Sequence, residues 1–201
     1  MNFLAHLYLA DDSPESRIGS LMPDLVRGPL PRDLHPTVAA GARLHRKVDG
    51  YTDTHRIFYE SRQRLRQRHG LYSGILVDVI YDHYLAANWQ RWHDQPLDAF
   101  VAQVHDAFVA GHQHMPQRMR DIVGRMNSQQ WLLCYASLEG IELTLRRMSQ
   151  RLSERFNRDV RLHDAMDEMR AEYDAFADDF ARFFPQLCRF AETARLALAP
   201  T

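Results

Sequence analysis

Cysteine is scarce in this chain: Cys134 and Cys188 are the two in 201 residues, far apart in sequence. Such a pair makes neither a disulfide framework nor a zinc knuckle, and the expected setting is a reducing cytoplasm. No segment approaches the run of about 18 uncharged apolar residues that a membrane-spanning helix needs. Glycine is sparse, at 9 residues. Nowhere do polar and β-branched residues alternate long enough to nucleate a convincing sheet. Excess charge of one sign is also missing. Lys+Arg total 25 against 26 Asp+Glu, a formal net charge of -1, which argues against a strongly basic nucleic-acid binder. There is no Ser/Gly-rich linker, internal repeat or low-complexity tract. The apolar opening MNFLAHLYLADD has no basic stretch ahead of it, contains His6 and stops at Asp11. It reads as a buried first helix rather than a leader peptide.

What is present is helical pattern. Hydrophobic types make up 45% and charged types 25%, the proportions of a soluble globular protein. The length suffices for one domain with a sizeable core. The fold expected is all-α, a single compact multi-helix domain over residues 1–201. Ser13 followed by Pro14 predicts a helix start, and that second helix should end near Met22–Pro23. Four of the nine prolines lie between Pro23 and Pro36, so DLVRGPLPRDLHP reads as an irregular loop opened by Asp24. Further helices are expected over roughly Thr37–Thr52, Asp53–His69 closed by Gly70, and from a Ser73 cap through ILVDVIYDHYLAANW. Later ones start at Pro96 and Ser137, and a last one begins near Asp164, bent at Pro185. Residues 1–70 carry eleven Lys/Arg against eight Asp/Glu, whereas residues 159–201 carry five against nine. An acidic partner should therefore prefer the N-terminal half.

Imidazoles and carboxylates recur on these mostly apolar helices. Asp78 and Asp82 are four apart, so their carboxylates leave one helix face from successive turns; His83 adjoins them. Burying like charges there is costly, and a cation would remove the penalty. His45 and Asp49 repeat the four-residue spacing, with Asp53 one turn on. His6 sits in an almost wholly apolar helix, and Asp24 follows a proline. Singly, each is also what a helix cap, a solvated face or a hydrogen-bonded core histidine supplies. Together, His6, Asp24, His45, Asp49, Asp78, Asp82 and His83 form a mixed nitrogen and oxygen set. Such a set suits Mn²⁺, Fe²⁺ or a catalytic Zn²⁺ rather than calcium or an all-sulfur zinc site. A cation held this way can bring a water's pKa toward neutrality. The pattern loosely resembles HD-type metal-dependent phosphohydrolases, with a different order of residues.

A fuller resemblance lies in the blocks MNFLAHLYLA, GSLMPDLVRG, LHRKVDGYTDTH and VDVIYDHYLAANW. In this order and spacing they resemble the acyl carrier protein phosphodiesterase family, clearly over residues 1–95 and in helix pattern beyond. Asp24 matches the aspartate of that family's G-N-x-x-G-D-F-like segment. Gly19 and Gly28 keep the pattern, while Ser20 stands for the usual asparagine and Pro23 for a glycine. The resemblance implies an all-helical, HD-like hydrolase that depends on a divalent metal, Mn²⁺ first, with Mg²⁺ or Fe²⁺ as alternatives. Its substrate would be holo-acyl carrier protein, and its products the apo-protein with its serine restored and 4'-phosphopantetheine. On this reading the metal ligands are His6, Asp24, His45, Asp78 and Asp82. Asp49 would hold a ligand imidazole, and His83, or a carboxylate such as Asp24, would orient the water or protonate the leaving oxygen.

Carrier proteins are small and acidic, so the docking surface should be basic. Arg27, Arg32, Arg43, Arg46 and Lys47 are the candidates, Arg27 foremost because it is three residues from Asp24; Arg56, Arg118 and Arg120 come after them. Two other functions fit the residues: an HD-like phosphohydrolase of nucleotides or other small phosphodiesters, and a non-enzymatic carrier-protein binding module. No membrane partner is expected.

Overall fold

The computed structural model describes residues 1–198, and among these there are α-helices and short 3₁₀ turns but no strand. The helices are α1 (Phe3–Leu9), α2 (Pro14–Leu25), α3 (Pro36–Thr54), α4 (Arg56–His69), α5 (Ser73–Ala87) and α6 (Leu97–Ala110). They continue as α7 (Gln117–Ser128), α8 (Trp131–Cys134), α9 (Leu138–Phe156), α10 (Met166–Ala171) and α11 (Tyr173–Leu198). The all-α expectation therefore holds. Among the described residues, no helix is long and apolar enough to cross a membrane.

Most boundaries follow from local chemistry. The Ser13 hydroxyl accepts from the Ser16 N–H with Pro14 at the first helical position, and Ser137 does the same for Gly140. Gly70 closes α4 with φ 53°, a conformation that favours a residue without Cβ. Three expectations need correction. Helix α2 passes through Pro23 to Leu25, so Asp24 stands in a helix's last turn rather than opening a loop. The caps of α3 and α4 are His35 and His55, whose ring nitrogens accept from Thr37 and Ile57 N–H groups. Ser73 is the first residue of α5 and makes no cap hydrogen bond.

Helix α5 is the central element. From Leu76 to Ala86 every residue but Asp78 is buried, as a helix apolar all round requires. Helix α1, with Leu4, Ala5, His6, Leu7 and Leu9 buried, packs on α5 and α2. Helix α11 closes the core with Phe176, Phe180, Phe183 and Phe184, the aromatic stripe its helical spacing predicts. The most extensive helix–helix contact is α2 on α3. A Cβ on Gly19 would lie 2.3 Å from the Val38 carbonyl oxygen, and one on Gly41 would lie 2.7 Å from that of Ser16. Two glycines let these backbones meet, and that crossing carries Asp24, His45 and Asp49 of the polar cluster described next.

Candidate metal centre

Three helices deliver the cluster. His6 comes from α1, Asp24 from the end of α2, and His45 and Asp49 from successive turns of α3. The α2–α3 crossing is close enough for His45 Nδ1 to meet the Ser20 carbonyl oxygen at 2.7 Å. A carbonyl can only accept, so Nδ1 carries the hydrogen and Nε2 is aimed inward. It is the backbone of Ser20 that orients the ring. The Ser20 hydroxyl turns away and donates to the Arg17 carbonyl at 2.8 Å.

Asp49 sits in the middle. Its Oδ2 lies 3.0 Å from His45 Nε2 and its Oδ1 lies 3.1 Å from His6 Nε2. Asp24 Oδ1 reaches His45 Nε2 at 3.4 Å. The two imidazoles stack at 3.8 Å with an interplanar angle of 18°. The ligand atoms of His6, His45 and Asp49 all lie within 4.8 Å of one another. Asp78 joins from α5 through the Met1 ammonium, which lies 3.0 Å from Asp78 Oδ1 and 3.2 Å from Asp49 Oδ1. These groups open onto a cavity of about 370 Å³ that Asp24, Asp49, Asp53 and Asp78 line together with Met1, Phe3 and Ile75.

The charges divide in a consistent way. Burial pulls the His6 pKa down to about 4, with the hydrogen bond to Asp49 opposing it and nearby His45 adding to it. Burial opposes charge on His45 too, but hydrogen bonds to Asp24 and Asp49 overcome it and raise the pKa to about 9. Burial tends to raise Asp49, yet the His45 and His6 hydrogen bonds hold it below the ordinary carboxylate range. Burial raises Asp78, with the Met1 ammonium opposing. The ammonium is itself raised to about 10: burial lowers it, and Asp78 and Asp49 more than offset that.

This set fits a divalent cation. His6 is neutral, and its buried Nε2 has the Asp49 carboxylate as its near polar partner, as buried Asp78 Oδ1 has the Met1 ammonium. A positive group, the chain's own ammonium, already sits between two of the carboxylates. Two imidazole nitrogens with carboxylate oxygens are the donors of Mn²⁺, Fe²⁺ or catalytic Zn²⁺ centres.

Two expected site residues are not brought to the cluster. Asp82, though four residues from Asp78, turns to the start of α1, where its oxygens accept the Leu4 and Ala5 N–H groups at 2.8 and 3.1 Å. It is fully buried and, chiefly by that burial, pushed up to about 7. It anchors the helix that carries His6. His83 has both ring nitrogens engaged, Nδ1 with the Tyr135 carbonyl at 2.9 Å and Nε2 with the Tyr173 hydroxyl at 2.8 Å. Neither nitrogen is left to serve a water in the acidic cavity. Arg43, Arg46 and Lys47 are exposed on α3 but line neither this cavity nor the groove beside it, which Arg27 does line. Asp49, expected from its i,i+4 spacing to hold a ligand imidazole, lies against both His45 and His6. The arginines of α9 in the groove were not singled out at all.

The family profile described as acyl carrier protein phosphodiesterase matches residues 1–187. A relative from Pectobacterium atrosepticum, named acyl carrier protein phosphodiesterase, is 33% identical over 197 residues, covering 98% of this chain and all of the relative. One from Klebsiella pneumoniae is 34% identical over the same coverage, and one from Escherichia coli is 33% identical over 199 residues, both with the same name. No solved structure matches the chain. With its first 187 residues matched by the profile and relatives aligned along 98% of its length, the chain belongs to the acyl carrier protein phosphodiesterase family.

Proposed function

We propose that this chain is a metal-dependent phosphodiesterase that releases 4'-phosphopantetheine from the serine of holo-acyl carrier protein. The observation that carries the metal dependence is the convergence of His6, His45 and Asp49 from two helices, with Asp24 and Asp78 alongside. His6 Nε2, Asp49 and, on giving up its proton, His45 Nε2 would hold the cation, and Asp24 and Asp78 complete its acidic surround. Mn²⁺ is the first choice for this donor set. When bound, such a cation lowers the pKa of a water and offsets charge on the phosphoryl oxygens.

The chain's own residues do the rest. Ser20 and Asp82 fix the two imidazole-bearing elements, one through the His45 ring and the other through the first turn of α1. Asp24 is the carboxylate placed to act as base, because it is partly exposed and, alone of the aspartates, lines both the acidic cavity and the groove beside it. It takes the proton of the attacking water as the new P–O bond forms. The bond from phosphorus to the serine oxygen breaks, its electron pair stays on that oxygen, and Asp24 returns the proton there. A cytoplasmic setting goes with this substrate.

The test is mass spectrometry of purified holo-acyl carrier protein after incubation with the chain and Mn²⁺, or with a chelator. Loss of the prosthetic group in the Mn²⁺ sample alone is expected. An unchanged mass in both samples overturns the reading, as does equal loss in both for the metal requirement.

A further inference from the structure

Beside the acidic cavity, and sharing Asp24, Ile75 and Met148 with it, lies a wider groove of about 570 Å³ with Arg27, Arg118, Arg151 and Arg155 on its walls. Arg151 and Arg155 stand one turn apart on α9, with Arg147 one turn before them. Like charges at this spacing repel each other along a helix. The neighbouring Arg146 is neutralised by Glu142, which also takes Arg170. The groove arginines are treated differently. Arg151 lies over the Trp131 ring at 5.7 Å and Arg155 over Phe156 at 5.3 Å, and neither has a carboxylate partner among the described residues. Arg27 has none either. Arg118 spends its Nε on the Leu25 carbonyl at 3.2 Å, which fixes the guanidinium at the end of α2 and leaves its terminal nitrogens outward. Glu154, the groove's acidic residue besides Asp24, accepts from Gln150 at 3.0 Å. Four guanidinium groups thus share a concave surface with two carboxylates, Asp24 and Glu154, neither of which pairs with them, directly beside a cavity lined by aspartates.

We propose that this groove docks the acidic face of the carrier protein, with carboxylates of that partner pairing to Arg27, Arg118, Arg151 and Arg155 while its phosphodiester enters the acidic cavity. The inference rests on the reading that the site cleaves a protein-borne phosphodiester. An acidic partner is repelled by Asp24, Asp49, Asp53 and Asp78, so a productive approach needs compensating positive charge within reach of the phosphorus. The shared wall at Asp24, Ile75 and Met148 supplies that reach. Guanidinium groups suit bidentate pairing with carboxylates. This keeps Arg27, the foremost candidate from the sequence, and Arg118, and puts Arg151 and Arg155 of α9 in place of Arg43, Arg46 and Lys47 of α3.

The experiment compares the wild-type chain with R151E/R155E, the milder R151A/R155A, and R66E on the exposed outer side of α4. Binding of apo-carrier protein, which lacks the phosphodiester, is measured by calorimetry at low and high salt. KM and kcat on holo-carrier protein are measured with Mn²⁺. Expected are at least tenfold weaker binding and a tenfold higher KM for R151E/R155E, with kcat within twofold, a smaller effect for the alanine pair, and no change for R66E. Equal losses in R66E and R151E/R155E, or none in either, overturn the docking assignment. Wild-type binding of apo-carrier protein without any cleavage of the holo form leaves docking standing and overturns the catalytic reading instead.

Discussion

Asp82 shows how far a residue's role depends on what lies opposite. Its i,i+4 spacing from Asp78 correctly puts both on α5, but nothing local says that the first turn of α1 will cover one and not the other. The unpaired N–H groups of a helix start attract a carboxylate, and Leu4 and Ala5 supply them 78 and 77 residues away. Replacing Asp82 with alanine leaves two buried donors unsatisfied, which costs about 1–3 kcal/mol for each in the absence of water. Asp82→Asn keeps one acceptor but turns an NH₂ group toward a backbone N–H. Both variants should be less stable in urea denaturation, alanine more than asparagine. Both should also bind Mn²⁺ roughly ten- to a hundredfold more weakly by titration calorimetry, the usual range when support for a ligand is lost, because α1 positions His6. Unchanged stability would mean that the carboxylate does not hold the helix.

Among the elements, the α2–α3 crossing decides the geometry of the centre. Gly19 and Gly41 face each other's helices so closely that any side chain meets backbone, not a movable side chain. Gly19→Ala should force the helices apart, at about 1–3 kcal/mol by the usual cost of overpacking. It should also lengthen the 2.7 Å contact of His45 with the Ser20 carbonyl. The expected readouts are a lower melting temperature and weaker Mn²⁺ binding, and a wild-type affinity in a destabilised variant would separate the crossing from the site. Much of this level could be read beforehand. Ser13–Pro14, Gly70 and Ser137 mark boundaries because their chemistry acts within three residues. Pro23 misled, because a proline in a last turn removes one hydrogen bond from a helix held mainly by its buried face. His35 and His55 as caps went unread because imidazole nitrogen is an uncommon substitute for the usual side-chain oxygen.

For the whole molecule, counting charge by segments points to the N-terminal half, yet two of the four groove arginines, Arg151 and Arg155, belong to α9. Net counts cannot separate Arg146, which has a partner, from Arg151, which does not. His83 belongs to this scale as well, because it ties central α5 to the Tyr135 carbonyl before α9 and to Tyr173 at the start of α11. The carbonyl requires a hydrogen on Nδ1, and because burial keeps the ring neutral at pH 7, Nε2 is bare and accepts from the Tyr173 hydroxyl. Burial lowers its pKa below the ordinary 6.5, the Tyr135 hydrogen bond opposing. The unfolded chain therefore binds a proton as pH falls through 6.5 while the folded chain does not, and stability falls with it until the folded pKa is reached. Above 6.5 the contribution is complete. Asparagine can donate and accept but does not titrate, so His83→Asn should be less stable at pH 7.5 yet lose less on going to pH 5. The difference between the two chains, followed by urea denaturation, removes the shared titrations of His6, His45 and the carboxylates. Parallel pH profiles for wild type and variant would show that His83 is not held neutral and that its two hydrogen bonds do not join these three parts of the fold.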